Sequence, residues 1–371
     1  MSWMGSARRS PAEWPDVLTA LLPTRNRADE CARQLRFLQR NGVTHRIIVL
    51  DASHGDAAAA VRAACVGLAE YRHFDPSYRM ADKLAAAVKD VVTPFVHLVP
   101  DDDLILPHAI GAALAFLRAR PDFSVAHGYF LAFVAHGNDI DIHRVQGFTP
   151  SIANDNPLRR HYDLFRRYQS FYWGIFRTEI FASAVSAACA MKMVLFRELT
   201  AMSTSILQGK VARLPLVYAL RGPTRSHVGA HQSHPLYWTL HDAQSFFSHY
   251  LVFRDAIAAF IRGRGIAPPP GGTLEQFLDM SHATWLGREV DVGTFNHATR
   301  LLLGDAMPPI DDEPLWQGWR EPADGDVVHF SKAGDRRYIW RREVLEAEPR
   351  DEIVIEPDEM LRVERELDAY R

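Results

Sequence analysis

The sequence predicts an α/β protein with a mainly parallel sheet that is covered by helices on both faces. Over about the first hundred residues, short apolar runs typical of buried strands alternate with longer stretches of helical spacing. Such alternation indicates βαβ units, which build a parallel sheet. From about Pro235 the pattern becomes mostly helical. We therefore expect two regions, residues 1–234 around the sheet and residues 235–371 as a helical extension with a short β segment.

The predicted elements of the first region follow one another in a regular order. Strands are expected at 17–22, 46–50, 71–74 and 95–99, and helices at 25–40, 57–68, 80–91 and 106–118. The middle of the chain is less regular. It is expected to contain a strand at 123–133, an aromatic segment at 168–176, a helix at 198–208 and a strand at 211–218.

The last third carries patterns of packing rather than of chemistry. A helical stripe of apolar residues is expected to face the core: Phe246, Tyr250, Phe253, Ile257 and Phe260. Further helices are expected at 273–286 and 294–303, two short strands at 326–330 and 337–345, and a charged helix at the end. We assign this region no chemistry from its sequence.

Composition narrows the class of protein. The 371 residues are 47% hydrophobic and 23% charged, with a net charge of −3, so no basic excess suggests a nucleic-acid partner. Cys31, Cys65 and Cys189 lie far apart and form no CxxC, which argues against a cysteine zinc site or a disulfide framework. No signal peptide or membrane-spanning window is evident, so a cytoplasmic protein is expected.

The segment 93–107 is the most informative part of the chain. Three consecutive carboxylates, Asp101, Asp102 and Asp103, follow a buried strand and precede Pro107, which can open a helix. Three acids held together repel one another, and a hard divalent cation with oxygen ligands would offset that repulsion. The alternative is a solvated acidic turn.

Other polar residues are expected to meet these acids. In a parallel sheet, ligands bind at the carboxyl ends of the strands. Neither GxGxxG nor GxxxxGK[ST] occurs, so neither a dinucleotide fold nor a P-loop is indicated. The residues that directly follow predicted strands, and should converge with the three aspartates at one edge, are Thr24, Arg25, Asp51 and Ser53.

Four segments in this order resemble the family 2 glycosyltransferases with the GT-A fold. The likeness is closest to a bacterial branch with a PTxNR-like opening and a DDD motif, and it covers roughly residues 15–225. It implies a Rossmann-like GT-A domain. The segments are PTRNR at 23–27, VLDAS at 49–53, ADKLAAAV at 81–88 and TPFVHLVPDDDLILP at 93–107.

The resemblance implies a nucleotide-sugar donor, usually a UDP-sugar, and residues that bind it. Asp51, with Ser53 beside it, would contact the base or ribose, and Lys83 would lie near the ribose or diphosphate. Arg221 would touch phosphate. The first loop would lie against the nucleotide through Pro23, Thr24, Arg25 and Arg27.

The resemblance also implies a metal and a base. Asp102 would be the direct ligand of Mg²⁺ or Mn²⁺. Asp101 and Asp103 would contact ribose, sugar or metal-bound water. Asp103 is the second candidate metal ligand, and Asp101 is a candidate donor-binding residue. The family base commonly lies in a Glu-Asp pair that opens a helix ending in Gly. Here Arg197-Glu198 precedes Gly209, so Glu198 is the predicted base.

Several assignments have alternatives. Asp51 could only cap a turn, Lys83 could lie on a solvated helix face, and Glu198 could interact with the dipole of its helix. Asp163 is the alternative base. The aromatic segment at 168–176 is expected to pack in the core, with a sugar-stacking platform as the alternative. One loop histidine could complete the metal site or simply be solvated: His227, His231 or His234.

The predicted activity is an inverting, metal-dependent transfer of a sugar from a nucleotide-sugar to a hydroxyl group. The acceptor would be a glycan, a lipid-linked molecule or a protein, in the synthesis of a bacterial surface glycan or glycoconjugate. A lipid-linked acceptor would bring the protein to the inner face of the membrane. The alternatives are a non-catalytic protein that binds a nucleotide-sugar or acts as a scaffold, and a metal-dependent nucleotidyltransferase.

Overall fold

One mixed sheet forms the centre of the molecule. The computed structural model describes residues 15–146, 150–222, 235–289, 327–333, 335–341 and 355–368, and eleven strands within these ranges belong to that sheet. The predicted helix at 294–303 and the histidines of the 227–234 loop lie outside the described residues.

The N-terminal part of the sheet is parallel, as predicted. Its strands lie in the order β3-β2-β1-β4, and each neighbouring pair is parallel. Helices connect them, which confirms the βαβ pattern. The elements are β1 (Leu18–Thr24), α1 (Ala28–Arg40), β2 (Arg46–Asp51), α2 (Gly55–Ala64), β3 (Glu70–His73), α3 (Met80–Ala87) and β4 (Phe95–Leu98).

The remaining strands make the sheet mixed. β8 lies antiparallel between β4 and β6, while β9 runs parallel to β6 and antiparallel to β5. The C-terminal strands continue the same sheet, because β11 pairs with β7 and β10 pairs with β11. These strands are β5 (Asp103–Ile105), β6 (Phe123–His136), β7 (Asp139–Gln146), β8 (Ile175–Arg177), β9 (Lys210–Arg221), β10 (Val327–Ala333) and β11 (Arg336–Arg341).

The other helices begin at recognisable signals. Pro107 opens α4 at the first helical position, and the Asn156 side chain accepts hydrogen bonds from two backbone N–H groups at the start of α5. Asp242 caps α9 in the same way. These helices are α4 (Pro107–Ala119), α5 (Pro157–Arg166), α6 (Thr178–Cys189), α7 (Val194–Gln208), α8 (Pro235–His241), α9 (Ala243–Gly263), α10 (Leu274–Glu289) and α11 (Pro357–Asp368).

Helices cover both faces of the sheet, in agreement with the predicted fold class. One apolar layer is shared by α1, α2, α4 and α11, and the other by α3, α5, α6, α7, α9 and α10. Residues beyond 234 therefore contribute to both layers. The predicted stripe on α9 faces the core, with Phe246, Tyr250, Phe253 and Ile257 buried.

The start of α7 differs from the prediction. The helix begins at Val194, so Glu198 lies about one turn inside it rather than at its opening. Gly209, which follows the last residue of α7, does not adopt the left-handed conformation typical of a glycine after a helix. Gly209 has an extended backbone with φ −166°, and a Cβ there would lie 2.8 Å from Cβ of Ser124. Close packing against β6 therefore requires glycine.

A glycine in β6 also fixes the course of β9. Partners change from His127↔Arg213 to Tyr129↔Val217, so β9 contains two extra residues over this step. A Cβ at Gly128 would lie 2.4 Å from the carbonyl oxygen of Leu216. The missing side chain lets β9 approach, and the strand continues to the site at the sheet edge.

Candidate functional site

The acid triplet lies where the strand-end rule predicted it. β1 and β4 are parallel neighbours, with Leu21 opposite Leu98, so the residues after β4 lie beside the end of β1. Thr24 Oγ1 donates a hydrogen bond of 2.8 Å to Asp101 Oδ2. The end of β1 and the acid triplet are therefore in direct contact.

Arg27 joins two of the three carboxylates. Its Nη1 lies 2.9 Å from Asp101 Oδ1, and its Nη2 lies 2.8 Å from Asp102 Oδ2. The loop before it turns sharply at Asn26, which has φ 55°, a conformation that asparagine tolerates better than most residues. The backbone N–H of Asn26 donates to Ser53 Oγ at 2.7 Å, which ties this loop to the end of β2.

The third carboxylate has a different arginine. Asp103 is the first residue of β5 and lies opposite Arg221, the last residue of β9. Arg221 Nε lies 3.1 Å from Asp103 Oδ2. The antiparallel pairing of two strands therefore places Arg221 at the acids, although it lies more than a hundred residues away in sequence.

Burial makes these carboxylates dependent on nearby cations. Loss of solvent raises the pKa of Asp101 to about 6, although Arg27 opposes the shift. Burial likewise raises the pKa of Asp103 to about 7, against the attraction of Arg221. The six side chains of this group are called the acid cluster below: Thr24, Arg27, Asp101, Asp102, Asp103 and Arg221.

Asp51 is near this cluster, but its carboxylate oxygens accept hydrogen bonds from other residues of the protein. Its side chain is fully buried. Oδ1 accepts from the Ser53 backbone at 2.8 Å and from Ser53 Oγ at 2.5 Å, and Oδ2 accepts from Tyr71 Oη at 2.9 Å. Asp51 thus organises the turn after β2. The more exposed group at this end of the sheet is His73, whose Nδ1 lies 3.8 Å from Asp51.

Lys83 connects the ends of two strands. Its Nζ donates to the carbonyl oxygens of Thr24 and Leu50, each at 2.9 Å, and the residue is only 4% exposed. Burial lowers the pKa of its ammonium group to about 8. The alternative of a solvated helix face is therefore wrong for Lys83, because the side chain is buried against the ends of β1 and β2.

Two other residues of PTRNR differ in their surroundings, because one belongs to the sheet and the other is exposed to solvent. Pro23 is buried and lies opposite Leu50 in the pairing of β1 with β2. Arg25 is exposed beyond the end of β1. Of the two arginines in PTRNR, Arg27 holds the acids and Arg25 lies on the surface.

Glu198 lies in a different setting. Its Oε1 accepts a 2.7 Å hydrogen bond from Tyr168 Oη. The ring of Tyr168 packs edge-on against Trp285 of α10, with centroids 6.1 Å apart. The "Glu198 cavity" of about 70 Å³ is lined by Met80, Ala81, Tyr172, Val194, Leu195, Arg197 and Glu198.

Helix α3 connects the Glu198 cavity with the acid cluster. Met80 and Ala81 line the cavity, and Lys83 of the same helix holds the ends of β1 and β2. Met80 and Lys83 are three residues apart, which is about 4.5 Å along the helix axis, so one helical turn contacts both the cavity and the strand ends. Asp163, the alternative base, instead pairs with Arg159 on the surface of α5 at 3.1 Å.

Sequence reasoning missed the partners of Glu198. Tyr168 belongs to the aromatic segment 168–176, which was expected to pack in the core. Phe171, Tyr172 and Phe176 do so. Tyr168 differs because its hydroxyl reaches Glu198. The signal that could have found it was its hydroxyl in a segment dense in aromatic residues, since a tyrosine near the core needs a polar partner.

The acid cluster has the donor chemistry that a divalent cation prefers, although the described residues contain no group of three or more His, Cys, Asp or Glu side chains arranged around one point. Mg²⁺ commonly uses only one or two carboxylates together with phosphates. Asp101 and Asp102 already share one cationic group, the Arg27 guanidinium. The residues therefore fit a cation held jointly with a phosphate ligand.

No protein-family model matches the sequence, and no curated protein matches it significantly. Among solved structures, the chain is similar to S. aureus TarS 1–349 in complex with UDP-GlcNAc, at 15% identity and a TM-score of 0.47, over 81% of this chain and 78% of TarS 1–349. A membrane-crossing helix would need more length and apolarity than any described helix has.

Two other solved structures are similar to the chain. One is the mannosyltransferase PcManGT from Pyrobaculum calidifontis in complex with GDP-Man and Mn²⁺, with 14% identity, a TM-score of 0.41 and coverage of 80% and 89%. The other is glucosyl-3-phosphoglycerate synthase from Mycobacterium tuberculosis, with 11% identity, a TM-score of 0.37 and coverage of 71% and 87%. At these values no activity is transferred to this chain.

Proposed function

We propose that this protein is an inverting glycosyltransferase of the GT-A type, which moves a sugar from a nucleotide-sugar to a hydroxyl group. The observation that carries the proposal is the acid cluster. Two arginines and three aspartates meet at the carboxyl ends of parallel strands, where α/β proteins bind ligands. PTRNR supplies Arg27 and DDD supplies the three aspartates, and these motifs stand, with VLDAS between them, in the order typical of family 2 glycosyltransferases.

The donor would lie along the edge of the sheet. Arg27 and Arg221 are suited to phosphate, because a guanidinium can bind two oxygens at once. Arg25, exposed on the same loop, would approach from solvent. The turn held by Asp51 and Ser53 would receive the base or ribose. Lys83 would stabilise the strand ends and contribute positive charge behind the diphosphate.

Asp102 is the residue that we propose as ligand of Mg²⁺ or Mn²⁺, together with phosphate oxygens of the donor. Asp103 was the second candidate from the sequence, and Asp101 is the carboxylate that shares a cation with Asp102 in the structure. When bound, the metal would supply positive charge for a diphosphate leaving group. The buried carboxylates at the site favour such a charge.

Glu198 is proposed as the general base. The acceptor oxygen would form a bond with the anomeric carbon as the bond from that carbon to the diphosphate oxygen breaks, and the hydroxyl proton would pass to the Glu198 carboxylate. One displacement inverts the anomeric centre. Tyr168, at 2.7 Å, holds the carboxylate in place and leaves it facing a cavity with apolar walls.

The proposed activity also suggests where the acceptor binds and where the protein acts. An acceptor hydroxyl on a glycan, a lipid-linked molecule or a protein would enter at the Glu198 cavity. We infer a cytoplasmic enzyme, with contact at the inner face of the membrane when the acceptor is lipid-linked. Synthesis of a bacterial surface glycan or glycoconjugate is the process to which this chemistry belongs.

A turnover assay tests the proposal. The purified protein is incubated with UDP-GlcNAc or GDP-mannose and Mn²⁺, with water or a panel of sugar and lipid-linked alcohols as acceptors, and free nucleotide is measured by chromatography. We expect release of UDP or GDP, and we expect Glu198→Gln to slow it by about 10² to 10⁴. Nucleotide binding without release across the panel would favour the non-catalytic alternative. Pyrophosphate released from a nucleoside triphosphate would favour a nucleotidyltransferase.

A further inference from the structure

The guanidinium of Arg27 lies between the carboxylates of Asp101 and Asp102. It contacts one oxygen of Asp101 and one of Asp102, at 2.9 and 2.8 Å. Thr24 already donates to the second oxygen of Asp101. A divalent cation that binds Asp102 would therefore come close to the guanidinium of Arg27.

Arg27 and a divalent cation are competitors in this arrangement. Both carry positive charge, and both would bind the Asp102 carboxylate, whose Oδ2 lies 2.8 Å from Arg27 Nη2. Like charges a few ångströms apart in a partly buried site repel strongly. The Arg27 side chain is 21% exposed and that of Asp102 is 15% exposed, so solvent screens the repulsion only in part.

Arg27 has an unused donor that points to a second partner. Its Nε is buried and has no hydrogen-bond acceptor among the described residues. An unmade hydrogen bond at a buried donor is costly. A phosphate group accepts from the Nε and Nη edge of a guanidinium simultaneously, which the present contacts with two separate carboxylates do not provide.

We propose that Arg27 is the counter-ion of the acid cluster in the free protein, that a divalent cation binds by displacing it, and that the displaced guanidinium moves to the diphosphate of the donor. Arg27 thus makes the acids bind metal weakly until a diphosphate is present. The identity of the diphosphate as part of a nucleotide-sugar rests on the proposed function. The competition between Arg27 and metal does not.

The competition is tested with Mn²⁺ alone, by calorimetry and by the loss of the free Mn²⁺ signal in electron paramagnetic resonance. Arg27→Met should bind Mn²⁺ about tenfold more tightly than the unaltered protein, within the range typical of coupled sites. Arg27→Lys keeps the charge but not the fork, so its affinity should lie between the two. Thermal melts confirm that each variant is folded.

Arg25→Met is the matched control. Arg25 belongs to the same loop and carries the same charge but lies exposed beyond the strand end. Its removal measures the general effect of one fewer positive charge, which we expect to change the Mn²⁺ affinity less than about twofold because exposed charges are screened. A gain of tenfold in Arg27→Met against this control supports displacement.

The coupling to diphosphate is tested by titrating Mn²⁺ with and without saturating UDP, corrected for Mn²⁺ bound by UDP in solution. UDP should strengthen Mn²⁺ binding more in the unaltered protein than in Arg27→Met. Equal or weaker Mn²⁺ binding by Arg27→Met, or no measurable binding by either protein, would overturn the inference. Tighter Mn²⁺ binding by Arg27→Met with no binding of any nucleotide would leave the competition standing and refute the proposed donor site.

Discussion

The acid cluster and the Glu198 cavity are built in opposite ways. Apart from Thr24, the acid cluster consists of charged side chains on loops and strand ends, and each of its carboxylates lies against an arginine. The Glu198 cavity is formed by helices and has apolar walls that include Met80, Val194 and Leu195. Tyr168 donates the hydrogen bond that orients Glu198.

The difference matches the two tasks of a transfer reaction. A diphosphate carries charge into its site, so the site needs convergent cations and acids, and the ends of parallel strands bring these together. A general base needs a fixed position, which the hydrogen bond from Tyr168 on a helical framework provides. If the comparison is right, substitutions in one region should separate donor binding from chemistry.

The largest effect is expected at Glu198. Glu198→Gln keeps the size of the side chain and removes its ability to take a proton, so turnover should fall by about 10² to 10⁴. UDP affinity, measured by calorimetry, should stay within about twofold because the acid cluster is intact. Asp163→Asn is the control and should retain activity. A Glu198→Gln protein as active as the control would place the base elsewhere.

A second substitution tests whether both regions depend on one support. Lys83→Met removes the two hydrogen bonds that Nζ donates to the carbonyl groups of Thr24 and Leu50. Unfolding in urea should show a loss of about 2 kcal/mol, since two buried acceptors lose a charged donor. Met80→Leu, on the same helix but facing the cavity, is the control. Unchanged stability of Lys83→Met would show that α3 does not fasten the strand ends.

A smaller effect is expected from the hydrogen bond to Glu198. Tyr168→Phe should lower kcat about tenfold, which corresponds to about 1.4 kcal/mol for one hydrogen bond to a charged group. The donor KM should change little. Tyr250→Phe is the control, because Tyr250 also donates to a carboxylate, that of Asp279 on α10.

The same variant can be combined with Glu198→Gln. If Tyr168 acts through Glu198, its loss should have no further effect on kcat in the Glu198→Gln protein. Independent, additive losses would show that Tyr168 only stabilises the helices around the cavity. Either result refines the contrast between a cluster held by charges and a cavity held by packing.

The smallest effect concerns the core behind the cavity. Burial lowers the pKa of His161 to about 3, and both ring nitrogens lack hydrogen-bond partners among the described residues. The folded protein therefore keeps His161 neutral while the unfolded chain takes up a proton below about pH 6.5, so this residue makes stability fall as the pH falls from 6.5 towards 3.

His161→Phe should remove that contribution. As the pH falls from 6.5 to 4.5, the free energy of unfolding should decrease less steeply for the variant than for the unaltered protein. The two slopes should differ by at most about 1.4 kcal/mol per pH unit. Denaturant unfolding at several pH values measures the slope, with His54→Phe, an exposed position, as the control. Parallel slopes for all three proteins would show that His161 is protonated equally in both states.

The sequence predicted the acid cluster better than the cavity for a physical reason. Strand ends of a parallel sheet meet at one edge whatever their separation in sequence, so Thr24 and the three aspartates could be grouped in advance, whereas Arg27 came only from the family resemblance. Which arginine pairs with which aspartate could not be predicted. Asp101 and Asp102 share Arg27. Asp103 pairs with Arg221 because β5 runs antiparallel to β9, and β5 has only three residues, too few for a pattern in the sequence.

The cavity depends on helix positions that periodicity does not fix. The α/β alternation of the first hundred residues predicted β1 to β4 and their helices, but α5 and α6 were missed. The buried face of α5 includes the polar residues Arg160 and His161, and α6 is rich in small residues. The start of α7 was placed four residues late, which made Glu198 a helix-opening residue. Its contacts with Tyr168 and, through that ring, with Trp285 arise only from tertiary packing.

The most direct test of a metal-dependent nucleotide site is a calorimetric titration of UDP, with GDP and CDP for comparison, in the presence and absence of Mn²⁺. Asp102→Ala is run beside the unaltered protein. We predict that one nucleotide binds with an affinity that Mn²⁺ increases, and that Asp102→Ala loses the increase. Binding that ignores both Mn²⁺ and Asp102, or no binding of any nucleotide to the folded protein, would contradict the account.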